Sequence, residues 1–87
     1  MHERALMRDL VERIVAVAEA ERAGRVTRVS VRLGALSHFT PEHFREHFED
    51  AARGTCAEGA AVHAALDADL HAPRARRVVL ESVEVES

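Results

Sequence analysis

The stretch Arg25-Val26-Thr27-Arg28-Val29-Ser30-Val31-Arg32-Leu33-Gly34 decides the fold. Val29, Val31 and Leu33 alternate with Arg28, Ser30 and Arg32, so a strand over Val26–Leu33 has one apolar face and one wet face. Gly34 marks its stop. A one-sided strand needs a cover, and the segments around it supply one. From about Arg4 to Ala23 the chain reads as a helix. Leu6, Leu10, Ile14 and Val17 recur at helical spacing, with Met7, Val11 and Ala18 beside them and Arg8, Asp9, Glu12, Arg13 and Glu19 mostly opposite. Gly24 follows, the residue type expected just past a helix end.

Downstream, Thr40 and Pro41 form an N-cap followed by a first-position proline, which opens a second helix. Phe39 and Phe44 have the spacing of a hydrophobic staple. Phe44, Phe48 and Ala52 then form an apolar stripe that ends at Gly54. Val62, Ala64 and Leu66 alternate with His63, Ala65 and Asp67 as a second strand. In the last segment, Val78 and Leu80 have one parity and Val83 and Val85 the other, so a bulge near Glu81 and Ser82 is needed to bring all four to one face. The link from about Leu70 to Arg76, with Pro73 inside it, suits an antiparallel hairpin. The expected architecture is an α+β two-layer sandwich. Two helices lie on one face of a three-stranded sheet, in the order helix, strand, helix, strand, strand.

The 87 residues, 47% of them hydrophobic and 31% charged, suit one small domain with a thin core. Residues 1–87 are therefore read as a single domain, and a second copy of the chain is a candidate partner. Twelve arginines against fifteen acidic residues give a formal charge of −3, with Arg74-Ala75-Arg76-Arg77 the one basic cluster, so no nucleic-acid footprint is expected. No apolar run suits a membrane span, and the start lacks a signal-peptide pattern, which points to the cytoplasm. The single cysteine, Cys56, excludes an internal disulfide and fits a reducing compartment.

Enzyme signatures are missing. There is no phosphate loop, G-x-S-x-G, H-E-x-x-H or C-x-x-C, and no nucleophile–base pair is visible, so an enzyme is not expected. Six histidines are the unusual feature. His43 and His47 stand four apart on the second helix, where both rings could reach one metal ion. With no obvious third ligand, they read first as a solvated flank beside the phenylalanine stripe. His38, His63 and His71 fall on loop or exposed-strand positions. At the start, His2 directly follows the α-amine. The amine, the backbone nitrogen of residue 2 and the His2 imidazole can close small chelate rings on one ion, a near-planar nitrogen set that suits Ni(II) or Cu(II). Glu3 adds a carboxylate, though it is also simply a good first-turn residue.

Across nearly its whole length the chain resembles the HypA/HybF family of hydrogenase-maturation nickel chaperones. The matching stretches are Met1-His2-Glu3 with Ala5-Leu6, Arg25-Val26-Thr27-Arg28-Val29, and Val31-Arg32-Leu33-Gly34-Ala35-Leu36-Ser37. They continue with Pro41-Glu42-His43-Phe44, Phe48-Glu49, Arg53-Gly54-Thr55, Ala57-Glu58-Gly59-Ala60 and Ser82-Val83-Glu84-Val85-Glu86. The resemblance implies a small α+β nickel domain. It also implies a Ni(II) site built from Met1 through its amine, His2 through its imidazole and backbone nitrogen, and Glu3. His43 and His47, on their spacing and not on the resemblance, stay a minor alternative metal site or a second point where nickel rests during transfer. The implied partners are a maturation GTPase and the hydrogenase large subunit, with some members meeting the urease system.

The departure from the family pattern is large. Family members insert a zinc-binding domain with two C-x-x-C pairs between the last two strands. Here Leu70-His71-Ala72-Pro73-Arg74 occupies that place, as a short turn near residues 70–76. Four thiolates cannot come from one chain with one cysteine, so no structural zinc is expected. Two functions remain in view. One is a nickel-binding accessory protein assisting delivery to a hydrogenase or related nickel enzyme. The other is a metal-free interaction module that kept the chaperone fold.

Overall fold

A computed structural model describes residues 2–71, Pro73 and residues 75–87, with His2 and Glu3 described by their backbone. The elements run α1 (His2–Ala20), β1 (Arg25–Leu33), α2 (Pro41–Ala52), β2 (Ala61–Leu66) and β3 (Val78–Glu86). The expected α+β sandwich is present. Val26, Val29, Val31 and Leu33 of β1 are fully buried, in one cluster with Met7, Leu10, Val11, Ile14 and Ala18 of α1 and Phe44, Phe48 and Ala52 of α2. Each buried Val, Leu, Ile, Phe or Met side chain contributes about 1.5–3 kcal/mol, so one strand face carries much of the driving force.

The sheet order is β2-β1-β3. β1 pairs with β2 in parallel and with β3 antiparallel. The hairpin expected between β2 and β3 does not exist. These two strands are the opposite edges, and the link between them crosses the C-terminal end of β1. The Asp67 N–H donates to the Leu33 carbonyl, the Gly34 N–H to Arg77 and the Leu36 N–H to Ala75. Alternation shows which face a strand buries and not which strand lies beside it, so a short link between two strands resembles a turn in sequence even where it is a crossing. Parallel pairing of β1 and β2 needs a crossover, and α2 provides it.

Two bulges repair the parity of the strands. In β3 the register steps from Ser30↔Ser82 to Val31↔Leu80, which leaves Glu81 out of the ladder. Val78, Leu80, Val83 and Val85 consequently all pack on the core, as their sequence spacing requires. The displaced Glu81 turns to the outer face and accepts from Arg32 Nε at 3.0 Å. In β1 the register steps from Val26↔Val85 to Arg28↔Glu84. The extra residue is Thr27, whose hydroxyl donates to the Glu84 carbonyl at 3.1 Å. Val26 and Val29, three apart, thereby reach the same face.

Three expectations are corrected at the edges of the core. On α1 the buried stripe is Met7, Leu10, Val11, Ile14 and Ala18, while Leu6 and Val17 lie on its exposed flank. On β2, Val62 and Ala64 pack inward, but Leu66 is 55% exposed. Nor does Gly24 end α1. The Ala23 N–H donates to Ala18 and the Arg22 N–H to Glu19, a Schellman closure with Arg22 in the left-handed region at φ 55°. Gly24 instead donates to the Glu86 carbonyl, tying the turn to the end of β3.

An arginine in the left-handed region bears a cost of roughly 1–2 kcal/mol that glycine avoids. Part of that gain is offset by the added freedom of the unfolded chain. Arg22→Gly is expected to stabilise the domain by about 0.5–1 kcal/mol, read as a higher urea midpoint at unchanged slope.

Candidate metal centre

The first turn of α1 carries the backbone of His2 and Glu3, two of the terminal candidates. Met1 and the side chains of His2 and Glu3 lie outside the described residues, and what is described there is the backbone. α1 begins at His2. Amides in the first turn of a helix have no intrahelical acceptor. The His2 nitrogen is therefore not committed to the helical ladder. It can serve as a deprotonated ligand without breaking a helical hydrogen bond. A cation is disfavoured at the positive end of the helix dipole, so a cation site there needs negative donors.

The second candidate lies on α2 and is described in full. The Thr40 hydroxyl accepts from the His43 N–H at 3.1 Å, and Pro41 fills the first helical position. Phe39 meets Phe44 edge to face at 5.6 Å between ring centroids, so the staple forms. This locked entry sets where His43 and His47 stand. Both are half-buried. Their Nε2 atoms are 2.8 Å apart, with one donating and the other accepting, and their ring centroids are 4.5 Å apart. Phe39 lies 5.8 Å from the His43 ring and 6.4 Å from the His47 ring. The solvated flank expected from the sequence is thus a pair of rings turned toward each other. Helical spacing was a visible signal for their proximity; the convergence of Nε2 on Nε2 was not.

The other candidates stay apart. His38 is exposed in the left-handed region at φ 68°, His63 is exposed on β2, and the His71 N–H donates to Asp69 within the link. Among the described residues no group of three or more histidine, cysteine, aspartate or glutamate side chains could hold a metal ion. Cys56 is half-buried and packs on the core, and its carbonyl accepts the Val26 N–H at 2.9 Å. The surrounding Gly54–Gly59 loop is held by its own side chains. The Thr55 hydroxyl donates to Ala52 and accepts from Ala57 N–H, and Glu58 Oε1 accepts from Gly54 N–H. Gly54 and Gly59 both have φ near 80°, where glycine is at home. This loop is architecture, fastening α2 to the start of β1. No described helix is long and apolar enough to cross a membrane.

The fold is that of a small two-layer α+β domain, with two helices on one face of a three-stranded mixed sheet. The sequence model for hydrogenase/urease nickel incorporation, metallochaperone HypA, matches residues 1–76, and the chain belongs to that family. It is similar to the hydrogenase maturation factor HypA of Chlorobium limicola, 43% identical over 60 residues that cover 69% of this chain and 52% of that protein. It is also similar to HypA of Archaeoglobus fulgidus, 34% identical over 67 residues, covering 77% and 61% of the two chains. The chain thus spans little more than half the length of these curated relatives. The solution structure of the Ni metallochaperone HypA from Helicobacter pylori has the same fold, with a TM-score of 0.80 at 16% identity over 98% of this chain and 97% of that one.

The cap at Thr40 positions the histidine pair as well as the helix. Thr40→Ala is expected to cost about 1 kcal/mol of stability in urea denaturation, and Thr40→Ser to restore most of it.

Proposed function

We propose that this chain is a nickel-binding accessory protein that assists delivery of Ni(II) to a hydrogenase or related nickel enzyme and carries no catalytic activity of its own. Nickel is cargo, held by the Met1 amine, the His2 imidazole and backbone nitrogen, and Glu3. The observation that carries this reading is the Met-His-Glu start on a helix that begins at His2, in a chain of the HypA family. A nitrogen-rich, near-planar donor set suits Ni(II). Ligands at the end of a chain also exchange readily, because the first residues are held by few neighbours. Release to a recipient then needs no rearrangement of the core. The machinery receiving the ion is a maturation GTPase and the hydrogenase large subunit.

Structural zinc is not part of this proposal. Residues 67–77 join β2 to β3 without a cysteine, and Cys56 is the chain's single thiol. A zinc site of four thiolates is out of its reach.

A chain that starts at Met1, with nothing added before it, should bind one Ni(II) in calorimetry with a Kd of about 1 μM or tighter. His2→Ala, or a few residues placed ahead of Met1, should abolish that site. Retention of this affinity in both variants rejects the assignment. A variant that no longer binds nickel but still captures the maturation partners normally would instead support a metal-free interaction module.

A further inference from the structure

We propose that His43 and His47 form a second metal-binding element, a two-nitrogen site for a divalent late-transition ion such as Ni(II), made by the facing Nε2 atoms on α2. The proposal goes beyond the terminal site and does not rest on it. The geometry is close to that of a bound pair. With metal–nitrogen bonds of ~2.1 Å, two ligands at ~90° around one ion stand roughly 2.9–3.0 Å apart. The two Nε2 atoms stand 2.8 Å apart. The separation of the two nitrogens therefore changes little when an ion replaces the shared hydrogen, and the rings turn to aim both lone pairs at it.

The pair is also held in advance. Both residues sit within the first two turns of a helix whose entry is fixed by the Thr40 cap and the Phe39–Phe44 staple. Both rings are half-buried and lie near the Phe39 ring. Side chains ordered before binding lose less entropy on binding, which favours a chelate over two independent histidines. Without an ion, one Nε2 carries the hydrogen and the other accepts it. With an ion, both Nε2 present lone pairs, and each ring keeps its hydrogen on Nδ1. The hydrogen moves within one imidazole, and no net proton is released.

Two histidine nitrogens leave further coordination positions for water or other donors. Among the described residues no third donor completes a closed site. Structural sites are closed by four protein ligands, whereas open positions permit exchange. The element is therefore a weak, exchangeable resting place for an ion.

The test uses the full chain in two forms, one starting at Met1 and one carrying a few extra residues ahead of Met1, each with and without His43→Ala/His47→Ala. In calorimetry the extended chain should keep one Ni(II) site of about 10–100 μM. The double substitution should weaken it tenfold or more. His43→Gln/His47→Gln, which preserves side-chain bulk, should act likewise, and an unchanged circular-dichroism melt would establish that the fold is intact. A readout independent of substitution is proton NMR of the extended wild-type chain, where Ni(II) should broaden the His43 and His47 ring signals before those of His38, His63 and His71. An extended chain that binds no Ni(II) below about 1 mM, or equal binding after the double substitution, overturns the proposal. Failure of the terminal site looks different: the Met1-start chain would then bind no more tightly than the extended one.

Discussion

The apolar face of β1 is the constraint on which the structure depends. Four of its side chains are fully buried, and every other element can be described by how it serves that burial. α1 and α2 cover the face. β2 and β3 satisfy the two hydrogen-bonding edges of the strand that bears it. Because β1 is central, its backbone is paired on both sides, as a buried strand requires. The opposite face carries Arg28, Ser30 and Arg32 and needs no second layer. The Arg32–Glu81 pair on that side is exposed at both ends, so it adds little beyond solubility.

Serving one face has a consequence for strand parity. A strand turns successive side chains to opposite sides, so any apolar pair an odd number of residues apart must be reconciled by a bulge. β3 meets this with Glu81 and β1 with Thr27. The first was legible, because a conflict of parity leaves a trace in sequence: Leu80 and Val83 are three apart between otherwise alternating residues. The second has the same signature in Val26 and Val29. It is harder to read because Val29, Val31 and Leu33 already make a complete pattern without Val26. Strand order was not legible at all. Neither edge strand contains a residue that announces its neighbour, and the link crossing the end of β1 is as short and polar as a hairpin turn. The exposed Leu6, Val17 and Leu66 show the same limit at finer scale. Periodicity identifies an apolar side, whereas the width of the covering layer decides which members of that side are buried.

The candidate site divides along similar lines. The Met1-His2-Glu3 set is a matter of chemistry that any reader of the chain can state, because adjacent residues need no fold to be close. The helix adds the reason that the His2 nitrogen is available. His43 and His47 required both levels. Their spacing put them on one side of α2, and in the folded chain, beside the Phe39 ring, the two Nε2 atoms face each other. Burial that looked like a property of the phenylalanine stripe alone extends to the flank beside it.

The stretches most responsible for the family likeness are mainly architectural. In the Gly34–Ser37 loop, backbone donors from Gly34 and Leu36 hold the link that joins β2 to β3. In the Gly54–Gly59 loop, Thr55 and Glu58 close the turn while the Cys56 carbonyl receives the first buried residue of β1. Both loops fix where elements begin, and neither brings a cluster of donors to one point. The proposed metal donors stand elsewhere, at the start of α1 and on α2, where main-chain nitrogens are uncommitted or side chains can be preset by a cap. A scaffold of this kind separates two demands. Its core must stay closed around β1, while an ion carried as the proposed cargo must leave. With the proposed donors at the start of α1 and on a flank of α2, exchange of an ion would not require opening the core.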